Sequence, residues 1–412
     1  MGNLTRRFLH TLAATLVVGT AVAQQAAKEV QQQLRETGFE EIRLEAVRML
    51  EGDSIVTCTV ERGLETSPGK DFRKALDLLS SHYPATTTIR IVMLEQGQAT
   101  YVLESAGSAV SVQNSDEQTD GSSQRAFELN YADGTYFKRI EWQKPLRSVH
   151  SGVTFTIFPQ LRLQNTYYDK IYEVQFNLAP ALEYSPWRGM LLTGQMLFPL
   201  YNDLDYAGDY IRPGFLTARQ QFNLPHLNRI ALTVGNFNQS RYGADLKWYK
   251  FFQNSPWSVR AQIGLTGHSN VKNWYWDHSS VEDLSWNVRA SYYLSRYNLR
   301  ADVQAGRYFA GDYGTRVDLT RHFGQVSVGF YASYAGGDAN GGFHVAIPID
   351  PFRHRHQHAV RVMVAPYFDQ EYTLEGALTT ARYYETSPRE NRSEMDLYPQ
   401  YIDYLINKSK TK

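Results

Sequence analysis

A chain of 412 residues whose 42 basic and 42 acidic side chains cancel offers no long-range attraction to nucleic acid. Mean hydropathy is −0.44, and past the N-terminus no apolar run reaches the roughly 20 residues that a membrane helix needs, which excludes a helical membrane protein. A membrane β-barrel is not excluded, because only every second residue of its strands meets lipid.

The chain begins as a signal peptide would, with Arg6 and Arg7 before the apolar stretch from Phe8 to Val18. Ala21-Val22-Ala23 is a small-x-small cleavage pattern, so residues 1–23 are read as the leader and Gln24 as the first mature residue. The only cysteine, Cys58, rules out an internal disulfide and is read as a core residue on a strand.

Residues 24–105 predict a small α+β module. Ala26, Ala27, Val30 and Leu34 suit a short amphipathic helix ending at Gly38. "EIRLEAV" and "DSIVTCTVE" alternate as strands, with Ile42, Leu44 and Ala46 on one and Val56, Cys58 and Val60 on the other. Phe72, Ala75, Leu76 and Leu79 recur at helical spacing before Pro84, and "TIRIVML" and "ATYVLES" form a hairpin around Gly97. The order is αββαββ, with the helices on one side of a sheet.

Residues 106–145 are read as a linker and transition, because "AGSAVSVQNSDEQTDGSSQR" has little to bury. Order resumes near "AFELNY".

From 146 to 368 strand follows strand, in about twelve to fourteen antiparallel segments. In 326–334, Val326, Val328, Phe330, Ala332 and Tyr334 alternate with Ser327, Gly329, Tyr331 and Ser333. The other faces carry mixed charge, as in Asp245 and Lys247, Arg260 and Gln262, or Asn287 and Arg289. The apolar faces end repeatedly in Trp or Tyr, such as Trp248, Trp257, Trp286 and Tyr292. An outward apolar stripe, aromatic ends and a polar interior describe a single outer-membrane barrel, in which every backbone group is satisfied. A soluble β-sandwich also alternates and stays open as an alternative. Residues 369–412 read as a polar tail.

"GRYFAGDYGTRVDLTRHFGQVSVGFYASY" (306–334) resembles the YjbH family of exopolysaccharide-associated outer-membrane proteins. Gly306, Tyr308, Ala310, Gly311, Asp312, Gly314, Arg321 and Phe323 carry the likeness, and "GGFHVAIPID" (341–350) continues it. "GFEEIRL" and "VERGLETSPGKDFRKALDLL" extend it into the N-terminal module, so that it covers most of residues 30–350. The resemblance implies an outer-membrane location and a part in secreting or maturing exopolysaccharide or capsule, with no enzymatic activity. Its implied partners are outer-membrane lipid, the exopolysaccharide itself and periplasmic polysaccharide-export proteins. Gly306, Gly311, Asp312 and Gly314 are read as structural turn positions, Asp312 bonding its own turn amides.

Four sets of residues are weighed for chemistry. Arg260, Arg289, Arg300, Asp302, Arg316 and Asp318 are candidate interior, glycan-facing residues. As a basic track they would suit an acidic glycan; as Arg300/Asp302 and Arg316/Asp318 pairs they would only neutralise one another, which is favoured. His354, His356 and His358 share a strand face, but with no carboxylate or thiol between them a hydrated rim is the better reading. Glu282 and Asp283 read as solvated, and "AGGDANGG" (335–342) as a mobile loop. No nucleophile or metal-protease signature occurs, so no catalytic residue, cofactor or metal is expected. The alternatives to export or assembly are a general porin or solute channel, a soluble carbohydrate-binding sandwich and an outer-membrane hydrolase. The N-terminal module is expected in the periplasm, where its sheet edge would accept a partner strand.

Overall fold

The computed structural model describes residues 27–48, 54–61, 68–106, 126–132, 152–165, 172–204, 206–272, 275–349, 360–373, 383–390 and 398–408. The leader and His354, His356 and His358 lie outside them.

The N-terminal sheet contains β1 (Glu40–Arg48), β2 (Ser54–Glu61), β3 (Thr88–Glu95), β4 (Gln98–Ser105) and β5 (Phe127–Tyr131), in that order. Helix α1 (27–36) precedes β1, and α2 (Pro68–His82) joins β2 to β3. That crossover lets β2 and β3 run parallel, while the other pairs are antiparallel. β5 falls within the stretch read as linker. It pairs with β4 because Leu129 and Tyr131 alternate with polar residues and bury against the same core.

Val30 and Leu34 of α1, with Phe72, Ala75 and Leu79 of α2, pack on Ile42, Cys58, Ile89, Ile91 and Leu103. Cys58 is fully buried, and burial pushes its thiol up to about 12, so it behaves as a small apolar core residue. At the end of β2, Glu61 accepts hydrogen bonds from the backbone N–H groups of Gln96 and Gly97 and so holds the β3–β4 turn.

The second sheet has fifteen strands. Its path runs through β6 (Val153–Asn165), β7 (Tyr172–Tyr184), β8 (Met190–Asn202), β9 (Arg212–Leu224), β10 (Asn228–Phe237), β11 (Arg241–Phe251) and β12 (Trp257–Lys272). The short β13 (Tyr275–His278) folds back on β12, and the path continues through β14 (Asp283–Leu294), β15 (Leu299–Arg307), β16 (Tyr313–Phe323), β17 (Val326–Ala335) and β18 (Asp338–Pro348). From β6 to β18, leaving β13 aside, that is twelve strands, each antiparallel to the next.

The two ends of the path meet in one run of chain. β19 (Val360–Val364) pairs with β6 and β20 (Tyr367–Thr373) pairs with β18, with only Ala365 and Pro366 between them. The pair β19–β6 is parallel, which departs from the all-antiparallel expectation. The reason is parity: after twelve alternating strands, a thirteenth must run the same way as the first. β20 also carries the strand region beyond residue 368, where the tail was expected to begin.

The faces of this sheet are inverted relative to a soluble protein. On β17, Phe330 and Tyr334 are 65% and 58% exposed, while Ser327 and Ser333 are 1% and 9% exposed. Leu246, Ile263, Leu265, Val288, Val303, Val317 and Leu319 are exposed in the same way. Asp245, Lys247, Gln262, Asp302, Gln304 and Asp318 are buried on the other face. A β-sandwich would bury the apolar face instead.

Turns supply two corrections. "AGGDANGG" is no mobile loop: Ala335 pairs with Asp338 around Gly336 and Gly337, whose φ values of 62° and 95° make the two-residue hairpin that the strand twist favours. At β15–β16, Gly311 has φ of 92° as the turn reading requires, and backbone bonds run from Tyr308 N–H to the Asp312 carbonyl and from Gly311 N–H to the Tyr308 carbonyl. Gly314 lies inside β16, directly across from Gly306. A Cβ on Gly306 would sit 2.2 Å from the Trp286 carbonyl oxygen, so the need there is steric.

Two outcomes follow. Gly306→Ala should lower stability by roughly 1–3 kcal/mol through overpacking. Gly194→Ala, where an added Cβ meets nothing within 4 Å, should stay within about 0.5 kcal/mol of the parent; urea midpoints of the folded gel band compare them. In the N-terminal module, burial outweighs the two N–H donors and pushes the Glu61 carboxyl up to about 8. A raised carboxyl means that the folded module binds the proton more tightly than the unfolded chain. Its contribution is therefore fully present below the ordinary carboxylate range and lost as pH rises toward 8. Urea midpoints from pH 5 to 8 should fall, and Glu61→Gln should flatten that slope.

Candidate functional site: an interior threaded by the C-terminal segment

Cavity-lining residues come from β6 (Phe158), β7 (Asn177), β11 (Arg241), β17 (Tyr331) and β20 (Gln370), so the large sheet curls around a common interior. The C-terminal segment runs back through it. Tyr384 stacks on Phe237, with ring centroids 5.2 Å apart, and its hydroxyl donates to Asp245 Oδ2 at 2.9 Å. Gly264 makes room: a Cβ there would fall 1.5 Å from the Tyr384 hydroxyl oxygen. Gln262 Nε2 donates to the same carboxylate at 2.7 Å, and Asn287 Nδ2 donates to Gln262 Oε1 at 3.2 Å. This chain of donors lets a buried aspartate stand in a polar wall.

Deeper along β11, Lys247 Nζ donates to Thr386 Oγ1 at 3.1 Å and to Glu390 Oε1 at 2.5 Å. Arg389 Nε donates to Glu183 Oε1 at 2.8 Å, and Asn238 and Glu385 exchange two bonds. Tyr398 then stacks on Tyr293 and shares a 2.7 Å hydrogen bond with Ser258. Helix α3 (Pro399–Lys408) follows, with the Tyr401 hydroxyl donating to the Gly324 carbonyl. Ile402 and Ile406 belong to the core of the N-terminal module, and Leu405 lies so close to Gly69 of α2 that a Cβ there would sit 2.5 Å away.

The segment therefore passes from the β10–β11 turn at one end of the strands to the N-terminal module at the other. That module sits on the end bearing the turns after β7, β9, β11, β14 and β16. Gln98 reaches the Gln221 carbonyl and the Asn223 backbone N–H, Tyr131 stacks on Phe251 at 4.9 Å, and Arg361 pairs with Glu40.

The residues expected to face a glycan separate into two groups. Arg300 bonds Asp302 at 2.9 Å, and Arg316 bonds Asp318 through two nitrogens at 2.8 Å each and also reaches Glu371. These are the mutually neutralising pairs. Arg289 bonds Gln304 Oε1 at 3.1 Å, and Arg260 stands across from it in register. Of the six, only Arg316 lines the cavity. Asp283, read as solvated, pairs with Arg241. Among the described residues no cluster of three or more His, Cys, Asp or Glu is arranged to hold a metal.

The sequence reading takes residues 369–412 as a polar tail, although Pro399 ahead of Ile402, Leu405 and Ile406 is a helix start with an apolar stripe. Thr386 and Glu390 bond each other four residues apart, but nothing local marks the strand partners of Tyr384, Thr386, Arg389 and Glu390, which lie 139 to 206 residues away.

Residues 256–366 match the family model described as "Exopolysaccharide biosynthesis protein YbjH". The match takes in β12 to β19 and the Gly306–Gly314 stretch, and supports the YjbH likeness over those residues. No curated protein matches the chain. Among solved structures, the chain is similar to a loop-L8 deletion mutant of OmpT, an outer membrane protein of Vibrio cholerae. Identity is 12% over 47% of this chain and 86% of that one, with a TM-score of 0.27. In-vitro folded OmpT from Vibrio cholerae gives 12% identity over 49% and 82%, with a TM-score of 0.26.

Lys247→Met should take from Glu390 the ammonium that it accepts from at 2.5 Å and cost about 2–3 kcal/mol, and pairing it with Glu390→Gln should recover most of the loss. Urea midpoints of the two variants decide this.

Proposed function

We propose that this chain is an outer-membrane β-barrel, closed through the run 360–373 and plugged by its own C-terminal segment, that supports exopolysaccharide export or assembly without catalysing a reaction. One observation carries the membrane reading: the exposed face is apolar and the buried face polar along strand after strand. Exposed aromatics add to it. Trp257, Tyr297 and Phe323 sit toward the end bearing the N-terminal module, and Tyr313 and Tyr334 toward the other, as two interfacial girdles would. The module lies at the end with short turns, which in such barrels faces the periplasm. From there it is positioned to meet polysaccharide-export proteins. The polysaccharide role rests on the family match.

The threaded segment argues against a free solute channel, because Tyr384, Thr386, Arg389 and Glu390 occupy the interior. In planar bilayers the intact protein should show little steady ion conductance. Lys247→Ala with Arg389→Ala, which loosens the segment, should produce frequent openings. Free conductance by the parent protein would instead make it a porin. In cells, the chain should fractionate with outer membranes, and its deletion should lower surface polysaccharide; an unchanged glycan coat sinks the export role.

A further inference from the structure

The interior is not filled along its whole length. Beyond residues 383–390, on the side away from the N-terminal module, a cavity of ≈740 Å³ opens among strand ends and turns. Its size is within the range of sites that hold small organic ligands.

Its chemistry is specific. Ten lining residues are Asn or Gln, among them Gln160, Asn177, Gln195, Asn236, Asn270 and Gln370. Each amide offers two donors and an acceptor with two lone pairs, with no charge. Four lining arginines face four lining carboxylates. Arg316 is held by Asp318 and Glu371, Arg241 by Asp283, and Glu390 by Lys247. Arg212 donates to the Gly208 and Tyr210 carbonyls. By number the four lining arginines and four lining carboxylates balance, so the wall carries no net charge to draw an anion. Aromatic faces complete the wall: Tyr331 lies flat under the Arg316 guanidinium at 3.7 Å, and Phe309 under Arg241 at 4.4 Å.

Two further observations point to a ligand. Asn177 is 5% exposed, lines the cavity, and its Oδ1 accepts no hydrogen bond among the described residues. In the large sheet, the register shifts among the described pairs occur between Phe176 and Asn177 and between Gly194 and Met196. Both fall beside cavity-lining amides, Asn177 and Gln195. Bulges of this kind re-aim side chains and gather at functional sites.

We infer that this vestibule binds an uncharged stretch of oligosaccharide, its hydroxyl or acetamido groups held by the amide wall. A hydroxyl donates and accepts at once, which suits an amide wall, whereas a nucleotide or an acidic glycan would need unpaired cations. The inference rests on the polysaccharide reading above and names the chemistry that reading would require. It departs from a basic track through the interior, because Arg300 and Arg316 are already neutralised.

The test uses the full chain in detergent micelles, titrated with cellohexaose, maltohexaose and chitohexaose, and with hexagalacturonate as the acidic probe, followed by calorimetry or saturation-transfer NMR. At least one uncharged hexasaccharide should bind, with an affinity unchanged from about 0.05 to 0.5 M salt. Ser333→Trp, which fills the cavity, and Asn177→Leu, which removes one amide at nearly constant shape, should each weaken binding by about tenfold or more. Heat-modifiable gel migration shows that the variants are folded, and if Ser333→Trp is not, Asn177→Leu alone decides. Binding of none of the uncharged probes, binding indifferent to the folded variants, or salt-sensitive binding of hexagalacturonate alone would each overturn the site. Failure here with loss of surface polysaccharide in the deletion strain removes the vestibule and keeps the proposed role; sugar binding with an unchanged glycan coat does the reverse.

Discussion

A sheet that exposes its apolar face and buries its polar one must solve a problem that soluble proteins avoid. Buried carboxylates, ammonium groups and amides have to find partners or remain hydrated, since an unpaired charge away from water costs several kcal/mol. Here the solution is largely covalent continuity. The chain supplies its own counter-groups by returning through the interior: Asp245 receives Tyr384 and Gln262, Lys247 receives Thr386 and Glu390, and Glu183 receives Arg389. Same-strand pairs at Arg300/Asp302 and Arg316/Asp318 add neutralisation that needs no long-range partner.

The same constraint links the two parts of the molecule. Residues 383–390 are anchored beyond their own contacts because α3 is both a lid over Tyr293 and His322 and a component of the N-terminal core through Ile402 and Ile406. The N-terminal sheet is in turn seated on the strand turns by Gln98, Tyr131 and Glu40.

Some of this was readable from residue order. Alternation is a local property, so the strands of the large sheet, the polarity of their two faces and the helices of the N-terminal module all show in the chain itself. So do the i, i+2 charge pairs, because neighbours on one strand face need no tertiary information. Where local reading failed, a long-range partner was responsible. β5 reads as linker until β4 offers its edge, and Gly314 reads as a turn residue until Gly306 lies opposite it. The glycines at 336 and 337 read as loose until strand register closes them into a hairpin.

What sequence by itself determined was therefore the periodicity: which residues share a face, and that one face is apolar and the other polar. What only tertiary structure decided was the content of the wet side. The parallel pairing of β19 with β6, the return of residues 383–390 through the interior, and the vestibule left beyond them depend on contacts between residues up to some 200 positions apart. Local pattern carries no record of such contacts, because a tyrosine or glutamate bound for the interior looks, along the chain, like any polar residue bound for water.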